Sequence, residues 1–220
     1  MRSPFSSLLL LAMMLVGCAA PTPPPPIPTP EPTVTPAPVL EARTSDGNYY
    51  LGRADAPLTV EMFGDFQCPV CGEFARTTEP PFMTNYVETG KARFVWRDFA
   101  WIGVESFLAA QAARCAGQQG HFWGFHNYLF AHQQGENLGT FSQQNLTAIA
   151  ENLGLEPNAF GACMNSGEEP KLIQQEVRFG VSLGIDVTPA FLINGDLRIG
   201  APPSSRFPAL LESYLARVPH

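Results

Sequence analysis

The sequence predicts an α/β fold with a block of helices inserted into it. Two strand signals lie in the first half of the chain, helical periodicity fills the middle, and the end reads as strand, tight turn, strand and helix. Leu58, Val60 and Met62 alternate with Thr59, Glu61 and Phe63, which is the period of a strand. The strand runs into Cys68-Pro69-Val70-Cys71, and Gly72 onward continues as a helix that is kinked near Pro80-Pro81. Ala92 to Phe99 (ARFVWRDF) reads as the second strand. Helices follow: Val104, Phe107, Leu108 and Cys115 share one stripe, and Phe160, Cys163 and Met164 another. Ile173, Val177 and Val181 recur at fourfold spacing. After Val187-Thr188-Pro189 come a short strand, an Asn194-Gly195 turn and a strand around Leu197 to Ile199, a hairpin signal. The last helix carries Phe207, Leu210, Leu211, Tyr214, Leu215 and Val218 on one face.

The N-terminus bears on location. Arg2 precedes an apolar run from Leu8 to Val16, too short to span a bilayer and suited to the core of an export signal. Leu15-Val16-Gly17-Cys18 resembles the lipobox of bacterial lipoproteins, which implies cleavage after residue 17, lipidation of Cys18 and anchoring to a bacterial membrane. The other reading is an ordinary cleavable signal with an incidental cysteine. Residues 21–38 hold ten prolines and almost nothing to bury. Such a stretch favours extended polyproline II, rising roughly 3.1 Å per residue, and serves as a tether. The expected organisation is therefore a signal peptide over 1–17, a lipidated cysteine and Pro-rich tether over 18–45, and one domain over 46–220 with helices inserted over about 102–184.

Formal net charge is −7, and −8 once Arg2 is removed with the signal. With no basic run, nucleic acid is a poor partner.

Cys68 and Cys71 could hold a metal, brace the fold or exchange electrons. A zinc site needs about four ligands, usually with a second close pair, whereas Cys115 and Cys163 stand alone and His121, His126 and His132 share no helical face. A bridge enclosing two residues constrains the unfolded chain little. Electron exchange explains the spacing. At a helix start, free N–H groups and the positive dipole end favour a Cys68 thiolate. Cys71, one turn on, can attack a mixed disulfide on Cys68.

The order of elements, together with Asp65-Phe66-Gln67-Cys68-Pro69-Val70-Cys71, Phe94-Val95-Trp96-Arg97-Asp98, Gly120-His121-Phe122-Trp123 and Val187-Thr188-Pro189-Ala190-Phe191-Leu192-Ile193-Asn194-Gly195, resembles the DsbA-like branch of the thioredoxin superfamily over nearly all of residues 46–218. The resemblance implies a thioredoxin fold with a helical insertion and Cys68 as nucleophile. It also implies a cis Pro189 beside Cys68, with the Thr188 backbone pairing with an extended substrate segment. An ordinary trans turn proline is the alternative. Pro69 and Val70 are the redox-tuning dipeptide. Val70 stands where strongly oxidising members carry histidine, so its side chain supplies no cation to a thiolate. Met62 stands where many members carry a buried carboxylate that serves proton transfer to the second cysteine. Neighbouring Glu61 points to the other face of the strand, which leaves Asp65 or water as candidates.

In an oxidising compartment Cys115 and Cys163 are expected to pair as a structural disulfide; two free buried cysteines are the alternative. His121, Phe122, Trp123 and Phe125 read as packing between the helical block and the core, and Trp96-Arg97-Asp98 as a strand end with a structural ion pair.

The expected function is an extracytoplasmic thiol–disulfide oxidoreductase, monomeric, needing no bound cofactor or metal. Its substrates are exported protein thiols, and family analogy adds a membrane redox partner for recycling. The alternatives are a reductase or isomerase of the same fold, or a non-enzymatic lipoprotein with a peptide-binding groove.

Overall fold

In the computed structural model, which describes residues 41–218, a six-stranded mixed sheet carries helices on both faces. Strands β1 (Glu41–Arg43), β2 (Tyr49–Leu51) and β3 (Leu58–Gly64) are followed by helices α1 (Pro69–Thr77) and α2 (Glu79–Phe82). A π-helical turn, Met83–Val87, and strand β4 (Ala92–Asp98) come next. The helical block holds α3 (Val104–Gly117), α4 (Phe122–Ala131), α5 (Gln143–Asn152), α6 (Pro157–Met164) and α7 (Glu168–Ser182). Strands β5 (Ala190–Ile193) and β6 (Asp196–Ile199) and helix α8 (Phe207–Leu215) complete the chain. The strand order is β1-β2-β4-β3-β5-β6, with β3 and β4 parallel and every other pair antiparallel. The expected signal peptide, Cys18 and most of the tether lie outside the described residues.

The expected boundary at residue 46 moves toward the N-terminus. β1 pairs with β2 in the register Glu41↔Leu51, and the Glu41 carboxylate accepts the Phe122 N–H at 3.2 Å. A three-residue edge strand has too little alternation to show in a sequence, so it read as tether.

Strand alternation divides the core in two. Leu58, Val60 and Met62 of β3, with Ala92, Phe94 and Trp96 of β4, face the larger cluster under α1, α3, α4 and α8. Phe63, Ala190 and Leu192 face the smaller cluster with Phe99 and Ile185. There Gly180 of α7 leaves room for Phe99, whose ring a β-carbon at that position would strike.

Two expected helical stripes are corrected. Val104 is 75% exposed, and the buried face of α3 is mostly alanine, with Ser106, Gln111, Arg114 and Cys115. On α7, Val181 is exposed, whereas Glu169, Ile173, Glu176 and Gly180 are buried. The carboxylates face inward because buried cations await them. Arg97 binds Glu61 at 2.6 Å, Glu176 at 2.8 Å and Asp46 at 2.9 Å. Arg114 binds Asp98 at 2.7 Å. Arg97 and Asp98 point to opposite faces of β4, so the structural ion pairing expected at Trp96-Arg97-Asp98 takes the form of two networks. Val218 falls beyond the end of α8.

Phe122, Phe125 and His126 are fully buried, and Phe122 stacks on Tyr49 with ring centroids 4.3 Å apart. Cys115 of α3 and Cys163 of α6 are joined by a disulfide across a sequence separation of 48. Replacing both with alanine is expected to cost up to about 4 kcal/mol in the chain-entropy model, seen as a lower Tm, with thiol exchange at Cys68 retained. An unchanged Tm in the purified, unreduced protein would remove the bracing role.

Candidate active site

Residues 65–68 form the turn between β3 and α1, and Cys68 is the N-cap of α1 with φ −66° and ψ 119°. Extended backbone at an N-cap turns the side chain back over the first free N–H groups. The Cys68 Sγ accordingly accepts the Cys71 N–H at 3.4 Å. Pro69 opens the helix, where no N–H is required of it.

The two sulfurs differ. Cys68 is 5% exposed and Cys71 fully buried, and they are not bonded to each other. Hydrogen bonding from the Cys71 thiol, then from the Thr188 side chain and the backbone N–H groups of Cys71 and Val70, outweighs burial and lowers the Cys68 pKa to about 6. The Val70 side chain is 49% exposed and supplies no cation; Val70 acts on Cys68 through its backbone. Burial, then the hydrogen bond and charge of Cys68, raise Cys71 well above the usual thiol range. Near neutral pH the pair is therefore a thiolate at Cys68 and a thiol at Cys71.

Thr188-Pro189, whose peptide bond is cis, leads into β5, the strand paired antiparallel with β3. The Thr188 carbonyl lies 3.3 Å from the Cys68 Sγ and receives its S–H in the thiol form. Cys68, Pro69, Val70, Cys71, Thr188 and Pro189 thus converge, whereas the Cys115–Cys163 disulfide sits within the helical block.

Of the candidates for proton transfer to Cys71, the structure speaks against Asp65. Met62 is fully buried on the core face of β3, and Glu61 is bound to Arg97 on the other. Asp65 Oδ1 accepts from Gln67 N at 2.8 Å and Ser106 Oγ at 2.6 Å. Its Oδ2 accepts from Trp101 N at 2.8 Å and Ile102 N at 3.0 Å. Four donors fill a carboxylate's acceptor sites, so Asp65 is an organiser of the turn and not a free base for Cys71. Gln67 extends the network, donating to Ser106 Oγ at 2.9 Å and accepting the Asn137 N–H. Sequence reasoning gave no role to Gln67, Ser106 or Asn137, because their partners are 39 to 70 residues away. Among the described residues no group of three or more His, Cys, Asp or Glu forms a metal cluster.

A second buried pair lies behind α1. The Glu79 carboxyl is 4.0 Å from His126 Nδ1, and Glu79 Oε2, His126 Nε2 and Trp123 Nε1 have no protein partner. Burial raises Glu79 to about 8 and lowers His126 to about 4, so both are neutral between those values. A carboxyl raised in the fold contributes stability that is complete below the unfolded value and lost as pH rises through the folded one. Its cost at pH 7 is on the order of 3 kcal/mol. Glu79→Gln is expected to flatten the fall in Tm between pH 5 and pH 8, and an unaltered slope would show that another group controls it.

A protein-family model described as thioredoxin matches residues 44–213. The Na(+)/H(+) antiporter NhaA 1 of Salinispora arenicola is 32% identical over 152 residues, covering 68% of this chain. This chain spans only 22% of that protein's length. A probable disulfide bond formation protein D of Bacillus anthracis is 26% identical over 151 residues, 67% of this chain and 70% of that protein. Oxidised BdbD of Bacillus subtilis superposes with a TM-score of 0.70 at 23% identity, covering 76% of this chain and 92% of that one.

Proposed function

This chain belongs to the thioredoxin family, with the DsbA-like arrangement of its fold, and from that premise we propose that it is an extracytoplasmic thiol–disulfide oxidoreductase that forms disulfides in exported proteins. The observation that carries the proposal is the placement of the dithiol: Cys68 caps α1 with its Sγ on the Cys71 N–H at 3.4 Å and beside the Thr188 carbonyl at 3.3 Å, and Cys71 is fully buried. The same surroundings lower Cys68 to about 6 and raise Cys71 well above the ordinary thiol range. Thiolate stabilisation exists only in the reduced form, so it makes the Cys68–Cys71 disulfide easier to reduce and the protein more oxidising.

In the proposed cycle a substrate thiolate attacks Cys68 Sγ of the Cys68–Cys71 disulfide. The S–S bond breaks, Cys71 leaves, and it takes up a proton to become the thiol. A second substrate thiolate attacks the substrate sulfur of the mixed disulfide, and Cys68 departs as a thiolate, a good leaving group because of its low pKa. The substrate loses two electrons and two protons and gains a disulfide. The exchange runs between sulfurs and uses no cofactor. A membrane redox partner that accepts the two electrons completes turnover, and the Thr188 backbone beside Cys68 offers an extended substrate a strand to pair with. Lipidation at Cys18 and the Pro-rich segment would hold the domain off a bacterial membrane. Among the described residues no helix is long and apolar enough to cross a membrane.

The test is equilibration of the Cys68–Cys71 pair with glutathione, joined to an assay of disulfide formation in a reduced, unfolded protein. The proposal expects a potential above that of a reductase such as thioredoxin, roughly −270 mV. A value at or below that figure, with no oxidation of substrate, would reverse the direction to reduction.

A further inference from the structure

Besides Ser106 and Asn137, which bond the side chains of Asp65 and Gln67, a third side chain of the helical block grips the backbone of the redox turn. Helix α4 ends at Ala131, and the chain leaves it through His132 and Gln133. The Gln133 Nε2 donates to the Phe66 carbonyl at 2.7 Å and to the Cys68 carbonyl at 3.0 Å. The Cys68 carbonyl also accepts the Gly72 N–H at 3.0 Å, the first helical bond of α1. Gln133 therefore fills the second acceptor site of the N-cap carbonyl and pins the residue two before it. Gly72 leaves the room this needs: a β-carbon there would collide with Gln133 Oε1. The following segment reinforces the arrangement, since Asn137 exchanges hydrogen bonds with the Gln67 side chain.

We propose that Gln133 is a positioning residue of the redox centre, holding the Cys68 backbone in the N-cap conformation that aims its sulfur at the Cys71 N–H. The inference rests on the redox reading of Cys68 and Cys71. The sulfur's alignment with that N–H depends on Cys68 ψ, and the two carbonyls that Gln133 grips flank the rotation that would spoil it. A thiolate gains more from an aligned N–H than a thiol does, so the grip favours the reduced, ionised form. Losing it weakens an N–H bond to sulfur without removing any atom from the dithiol.

The experiment compares the wild type with Gln133→Met, which keeps the shape and loses the donor, and with Gly72→Ala, which keeps the donor and displaces it. Thiolate absorbance gives the Cys68 pKa, and equilibration with glutathione gives the potential. Both variants are expected to raise the Cys68 pKa by about half a unit to one unit and lower the potential by about 15 to 30 mV. The combined variant should shift no further than Gln133→Met alone, because both changes abolish the same contact. Gly72→Ala also separates positioning from helix stability, since alanine favours α1 and a purely structural role gives no rise in pKa. Wild-type values in a folded Gln133→Met protein overturn the proposal; should that variant not fold, Gly72→Ala decides it by the same criterion. A wild-type dithiol that never equilibrates with glutathione would instead defeat the redox reading on which the proposal rests.

Discussion

Cys68→Ser is expected to reduce dithiol oxidation to the uncatalysed background, and Cys71→Ser to accumulate mixed disulfides through Cys68. The two outcomes follow from the different burial and acidity of the sulfurs. In the proposed cycle Cys68, at the N-cap and lowered to about 6, is the less buried sulfur and serves as both attacking sulfur and better leaving group. Cys71 is fully buried and held as a thiol, so its proposed part is to close the internal disulfide and release whatever is bound to Cys68. Without it the covalent adduct has only an external thiol to resolve it. Intact-mass analysis after incubation with an oxidised peptide shows the adduct on the Cys71→Ser protein and none on Cys68→Ser. Full activity in Cys68→Ser would mean that Cys68 is not the nucleophile.

The next largest effect is expected from Arg114→Met. The Arg114 side chain is fully buried and binds Asp98 at 2.7 Å, the Gly47 carbonyl and Asn48 Oδ1 at 3.0 Å each, and Glu169 at 3.7 Å. Trp96 Nε1 also donates to Asp98 at 2.7 Å. Methionine fills much of the volume but leaves Asp98 and Glu169 buried without their cation. Breaking a buried pair in this way costs about 3 to 5 kcal/mol, which in a domain of this size lowers Tm by roughly 10 °C. The sign with pH is fixed. Burial already raises Asp98 and Arg114 counters it, so without the arginine the variant's deficit shrinks as Asp98 protonates at lower pH and grows as pH rises. Thermal melts at pH 5 and pH 8 measure both effects. A loss under about 1 kcal/mol at pH 8 would show that the site admits water.

Arg114 also shows where sequence reading stops. Periodicity marks apolar faces, and it assigned α3 a stripe beginning at Val104, which is 75% exposed. It could not see that the buried face of α3 carries an arginine, or that α7 turns Glu169 and Glu176 inward to meet charges from other elements. A buried charge is stable only with a partner, and these partners are 16 to 79 residues away. The strands β1 and β2 escaped notice for a related reason. Three residues each hold too few alternations to register, and their pairing with each other and with β4 defines them. By contrast β3, β4 and the Asn194-Gly195 hairpin were legible because their alternation is local, and the turn places φ 47° and 88° on the two residue types that tolerate them.

The sequence by itself determined the α/β class, the helical insertion, and a cysteine pair spaced one turn apart at a helix start. Three residues of helix suffice to bring a thiol to an N–H, so that part of the centre is written locally. Thr188-Pro189 beside Cys68 was legible only through the family resemblance, and folding brings Thr188 there across 120 residues. Tertiary structure alone decided the rest: it brings Gln133 to the same turn across 65 residues. It buries Cys71 and fills the Asp65 carboxylate with four donors. Thiol acidity depends on which dipoles surround the sulfur and how much water is excluded, and both are set by contacts between distant segments.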